Sequence, residues 1–261
     1  MKPTLLSVAF SSAAIFFFGA ANSAWGADKP VTVFRSEESP TSLLELYTSE
    51  GCNSCPPAET WLSGLKGAPG LWRDFAPVAF HVDYWDNLGW RDPWGSPTFS
   101  DRERAYAQRW RSPSIYTPCF VLNGKEWRGW REPAVDLKPT ATKVGVLTAS
   151  SADATHWKVV FTPSGGAGAA YQAHAALQSS ALVSEVKAGE NRGRRLEHDF
   201  VTLALTSAPL TTRGNMAEGE LILKGAVSSS AQNRSVVVWV TRAGHAEPIQ
   251  STGGWLPAPA Q

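Results

Sequence analysis

Two of the three cysteines in this 261-residue chain stand as a C-x-x-C, Cys52 and Cys55, inside "YTSEGCNSCPP" (47–57). Thiols at that spacing serve one of three chemistries: disulfide exchange, soft-metal ligation, or a staple across a loop. Exchange needs a thiolate to attack a partner disulfide and a second thiol within reach to resolve the mixed disulfide. A strand that delivers the pair to a helix start favours the thiolate, because free backbone N–H groups and the positive end of the helix dipole stabilise it. "SLLELYT" (42–48) reads as that strand. "AETWLSGLKG" (58–67) reads as that helix, with Trp61, Leu62 and Leu65 on one face. On this reading Cys52 attacks and Cys55 resolves. Pro56 and Pro57 disfavour a helix through the cysteines themselves, so the helix is expected to begin near Pro57 and the thiol pKa to be lowered.

A second constellation lies in "IYTPCFVLNGKEWRGW" (115–130). It reads as a strand, an Asn123-Gly124 turn and a second strand, and that dipeptide is the strongest short hairpin signal. Pro118 opens the first of these strands, a position where proline is tolerated. By analogy with thioredoxin-like proteins, Thr117-Pro118 is expected to be cis and to form the substrate groove opposite the cysteines. Cys119 is either a small buried hydrophobe or a third thiol beside the pair.

Other polar residues are candidates for supporting roles. Glu45, on the strand before the cysteines, could move protons during exchange, and Asp83 is its rival. His81 could join Cys52, Cys55 and Cys119 in a copper or other soft-metal site. With no second C-x-x-C and no H-x-x-x-H, a closed zinc site is not expected. "HVDYWDNLGWRDPWGSP" (81–97) carries three aspartates and four aromatic residues. They are either a docking surface for a polypeptide or core cover and helix caps. "ENRGRRLEHD" (190–199) is a binding loop or a solvated hairpin turn.

The elements that position these residues fall into two halves. After the C-x-x-C helix come a strand, "APVAFHVDYW" (76–85), and a helix, "SPTFSDRERAYAQRW" (96–110), whose Pro97 suits a first turn. From about residue 140 the chain shows short alternating runs such as "HWKVVFTP", "RLEHDFVTLAL" and "SVVVWVTRA", set apart by Gly, Ser, Pro and Asn. That pattern predicts antiparallel strands in a sandwich. The expected fold is therefore a thioredoxin-like α/β domain over 41–138 followed by an all-β domain over 139–261.

The N-terminus is read separately. Lys2, an apolar run and "NSAWGAD" make a secretory signal over 1–26. Ala24 and Gly26 suit a cut before Ala27, with Ala24 itself a rival exit. Residues 27–40 read as a tether. An exported chain meets an oxidising compartment, so the pair is expected as a disulfide in the periplasm or outside the cell. The formal net charge of +1 gives no sign of a nucleic-acid partner. No later run is long and apolar enough to suggest a membrane span.

"LYTSEGCNSCPPAE", "AFHVDYWDNLGWRDPWGSPTFSDRERAY", "YTPCFVLNG" and "GENRGRRLEHDFV" (189–201) together resemble the bacterial secreted thioredoxin-like family called domain of unknown function 1223. The resemblance implies a thioredoxin-like fold, export and a redox role, and names no substrate. It also leads one to expect Gln after the Thr-Pro, where this chain has Cys119. The leading expectation is an exported thiol–disulfide oxidoreductase acting on protein thiols or disulfides of the cell envelope, without a bound cofactor. A soft-metal protein and a non-catalytic interaction module are the alternatives.

Overall fold

The computed structural model describes Met1 and residues 31–132, 137–138, 140–224 and 233–258. The expected signal segment beyond Met1, the start of the tether and part of 131–143 lie outside the described residues.

The strands are β1 (Thr32–Arg35), β2 (Ser42–Thr48), β3 (Phe75–His81), β4 (Cys119–Leu122), β5 (Lys125–Glu126), β6 (Gly145–Ser151), β7 (His156–Pro163), β8 (Tyr171–Ser179), β9 (Leu182–Glu185), β10 (Arg195–His198), β11 (Val201–Arg213), β12 (Met216–Ile222), β13 (Arg234–Arg242) and β14 (Pro248–Trp255). The α-helices among the described residues are α1 (Pro56–Gly64) and α2 (Pro97–Trp110). None is long and apolar enough to cross a membrane.

Local chemistry explains the elements around the cysteines. β2 and β3 pair in parallel, and both are buried along their length. Parallel strands need both faces covered, and here α1 covers one and α2 the other. Prolines stand at the start of both helices, where a missing N–H costs no ladder bond. Ser96 caps α2 by accepting from the Thr98 N–H at 3.3 Å. Asn123 and Gly124 both take positive φ and turn β4 into β5.

The fold corrects the expected architecture. Twelve strands form one mixed sheet, β1-β6-β7-β12-β11-β3-β2-β4-β5, with β8, β13 and β14 joined to it through β11. The protein is mostly β, not a thioredoxin-like α/β domain followed by a separate all-β domain. The physical reason is β11, 13 residues long. One end pairs with β12 and the other runs parallel beside β3, Val201 opposite Ala79. The cores fuse as well: Ala176, Val237 and Trp239 from the later strands pack with Tyr47, Phe80 and Tyr106. The stretch read as a tether carries β1, which pairs with β6. Alternation along each strand reports which face is buried but not which distant strand lies beside it.

Among the described strands only β9 and β10 stand apart, as a two-stranded ribbon. The loop between them, 186–194, reaches back over the cysteine turn.

Candidate functional site

Cys52 and Cys55 form a disulfide at the entrance to α1, with Cα atoms 5.5 Å apart. Cys55 is the residue before the helix, and its carbonyl accepts the first helical N–H groups, from Ala58 and Glu59. Cys52 therefore sits outside the helix, as the two prolines require. Its sulfur lies 3.3 Å from Ser54 Oγ and 3.8 Å from the Thr117 carbonyl oxygen. The Thr117–Pro118 bond is cis. Trp85 Nε1 donates to Thr117 Oγ1 at 2.8 Å, so the 81–97 segment braces this side of the pair.

Both cysteines are fully buried. The β9–β10 loop is tied to the cysteine turn. Asn191 Nδ2 donates to the carbonyls of Glu50 and Cys52, at 2.8 and 2.9 Å. The Asn53 N–H donates to Glu190 at 3.1 Å. The arginine-rich run is thus a hairpin turn whose arginines are exposed and whose Asn191 is buried.

Beneath the disulfide lies a buried polar cluster. Glu59, one turn into α1, accepts from Thr48 Oγ1 and pairs with His198 Nδ1. His198 Nε2 meets Glu50 Oε1 at 3.0 Å. Glu50 also accepts from Ser184 and from Trp90 Nε1, the latter at 2.7 Å. Beside them His81 Nδ1 meets Asp92 Oδ2 at 2.7 Å. Burial opposes charge on His198, but the carboxylates of Glu50 and Glu59 outweigh it and hold its pKa at about 10. Burial likewise opposes charge on His81 and is outweighed by Asp92, so that ring is also raised. Glu59 is lowered, because His198 and His81 overcome its desolvation.

The remaining sequence candidates go elsewhere. Glu45 points to the α2 face and is saturated by Arg102 Nε at 2.7 Å, Tyr106 at 2.6 Å and Tyr47 at 2.9 Å. Asp83 holds Ser100 in the first turns of α2. Cys119 is buried in the apolar cluster with Tyr47 and Phe99, and burial pushes its thiol up to about 12. It packs there as a small apolar side chain. Among the described residues the cysteines belong to no group of three or more candidate metal ligands, and His81 gathers with Glu59 and His198 instead. Sequence reasoning missed Glu50, Glu59, Asp92, Asn191 and His198. Only the place of Glu59 on the C-x-x-C helix offered a signal.

The family model described as "Protein of unknown function (DUF1223)" matches residues 43–241. The chain belongs to this family. Its match begins in β2 and ends in β13, so it covers the cysteine pair, the cis-proline and the β9–β10 cap. The fold is similar to that of protein AGR_C_4864 from Agrobacterium tumefaciens, with a TM-score of 0.58 at 20% identity, over 86% of this chain and 98% of that one. It is also similar to HBP35 of Porphyromonas gingivalis, with a TM-score of 0.55 at 11% identity, over 87% and 79%. At such identities the likeness speaks of fold alone. Comparison with curated proteins yields no match.

Proposed function

We propose that this protein is an exported thiol–disulfide oxidoreductase that acts on protein thiols or disulfides of the cell envelope. The observation that carries the reading is Cys52 Sγ, outside the start of α1 and 3.8 Å from the Thr117 carbonyl at the cis-proline. A polypeptide in extended form would lie against the Thr117 backbone with its own sulfur in line with Cys52. In the reductive direction the Cys52 thiolate attacks a partner disulfide. The Cys52–partner bond forms and one partner thiolate leaves. The Cys55 thiolate then attacks Cys52 Sγ, the second partner thiolate leaves, and two electrons have passed to the partner. The oxidative direction is the reverse. Because both cysteines are buried and the 186–194 loop is tied to their turn, exchange on this reading requires that loop to lift.

A second reading rests on that same burial: the disulfide is a fixed staple. One measurement separates the two, the equilibrium reduction potential of the pair against glutathione. A value between roughly −120 and −270 mV is expected for an exchange protein, and one below about −300 mV belongs to a structural disulfide. A Cys55→Ser variant recovered from cell envelopes should carry mixed disulfides through Cys52.

A further inference from the structure

We infer that Glu59, His81 and His198 form a binding site for one first-row divalent cation of the zinc type. One carboxylate oxygen and one ring nitrogen from each histidine all lie within 4.8 Å of one another. The three come from α1, the end of β3 and the end of β10. All three are buried.

The independent pointer is His81. Asp92 holds its Nδ1, which leaves Nε2 as the nitrogen it can offer, and that atom is buried with no hydrogen-bond partner. An orphaned buried polar atom destabilises the fold, and a metal bond at this nitrogen would satisfy it.

The surroundings have the form of a metal shell. Each imidazole is held from behind by a carboxylate, His81 by Asp92 and His198 by Glu50. Such carboxylates fix the ring and raise its basicity as a ligand. Asp92 is itself fixed by the N–H groups of Glu50 and Trp94, at 2.8 and 2.9 Å. Thr48 orients the other oxygen of Glu59. Trp94 closes one side, its ring 5.5 Å from His81 and 4.9 Å from His198. A surface cleft lined by Pro56, Glu59, Thr60, Arg194 and Leu196 gives an approach.

The donor set also selects the ion. Two imidazoles and a carboxylate without sulfur suit zinc and its neighbours, not magnesium or calcium. Donors about 2 Å from a common ion sit up to about 4 Å apart, so small side-chain rotations complete the geometry. The ion would enter between His198 Nδ1 and Glu59, where a hydrogen now bridges them. It would join the β9–β10 cap to α1 beneath the disulfide, which extends the chemistry beyond the thiol site and does not rest on it.

The test uses the full exported chain with its disulfide intact, so that Cys52 and Cys55 cannot act as thiolate ligands. After chelator treatment it is titrated with Zn²⁺ against a chromophoric chelator. The expected result is one equivalent bound per chain. Asp92→Asn should weaken binding about 10- to 100-fold, and His81→Gln should weaken it further. Cys119→Ala should change nothing. Because His81→Gln could unfold the cap, X-ray absorption of the Co²⁺-loaded wild-type chain supplies a second readout, with only nitrogen and oxygen neighbours expected. Absence of stoichiometric binding, binding indifferent to Asp92→Asn in a folded variant, or sulfur among the neighbours would each overturn the assignment.

Discussion

Asn191 hydrogen-bonds the carbonyl oxygen of Cys52 at 2.9 Å across 139 residues of sequence. Its other amide hydrogen takes the Glu50 carbonyl at 2.8 Å. One buried side chain therefore holds the cap loop down on the cysteine turn. The cap and the thiol pair come from distant parts of the chain, and this contact joins them.

The first prediction follows from that contact. Asn191→Ala removes the side-chain donor from the Glu50 carbonyl and leaves the Cys52 carbonyl with the Cys55 N–H at 3.3 Å as its partner. The orphaned Glu50 group costs about 1–3 kcal/mol, and the loop lifts more often. Every 1.4 kcal/mol is a factor of ten in an opening equilibrium. Reduction of Cys52–Cys55 by dithiothreitol under native conditions should accelerate at least about tenfold. An unchanged rate would mean that something other than this loop shields the sulfurs.

Glu45 and Glu59 should behave differently when made neutral. Glu45 is buried against Arg102, whose guanidinium also stacks 5.0 Å from the Trp239 ring centre. Glu45→Gln leaves that charge without its partner, and breaking a buried pair costs about 3–5 kcal/mol. The urea midpoint should fall accordingly, while the pH profile of thiol exchange stays put. Glu59→Gln should move that profile, because it removes a buried negative charge one helical turn after Cys55. A shifted profile in Glu45→Gln would restore Glu45 to the proton-transfer role.

Glu103 gives a pH signature away from the thiols. Burial raises its carboxyl to about 7, while it accepts from the Tyr116 N–H and the Tyr84 hydroxyl. Unfolded, it titrates at about 4.3. Between these values the folded state holds a proton that the unfolded state has lost, so stability falls as pH rises through this window and then levels off. Glu103→Gln keeps the acceptor and removes the titration. It should match the wild type near pH 4 and exceed it by about 1–3 kcal/mol near pH 8. Urea unfolding at the two pH values checks this, and parallel pH dependence in both proteins would contradict it.

Local chemistry of the site was readable in the sequence, and its long-range closure was not. Pro56 and Pro57 placed the helix start after Cys55, and Asn123-Gly124 marked a hairpin, because both are consequences of φ at single residues. The division into two domains failed because β11 pairs with strands from both halves and its pairing with β3 has no local signature. His198 was invisible for a related reason. In "RRLEHDF" it alternates as a strand residue, and nothing nearby announces that its two nitrogens meet Glu50 and Glu59 from elsewhere in the chain. The place of Glu45 was not legible either, because a position before the cysteines says nothing about which face the side chain takes. Thr48, on the other face, is the one that reaches Glu59.

The last prediction concerns Gly51. A Cβ added there would lie 2.8 Å from Trp85 Cβ, closer than packed carbons allow. Gly51 has no positive φ, so the obstacle is the neighbour and not the backbone. Gly51→Ala should push Trp85 away and break its hydrogen bond to Thr117 Oγ1, at a cost of about 1–3 kcal/mol. Trp85→Ala would keep the offending Cβ, so Trp85→Gly is the informative partner. In a double-mutant cycle, Gly51→Ala should cost much less in the Trp85→Gly background, with a coupling of about 1 kcal/mol or more. Additive effects on the urea midpoint would show that Gly51 is required for another reason. If the coupling holds, thiol exchange should slow in Gly51→Ala alone, because Trp85 is what fixes Thr117 beside the Cys52 sulfur.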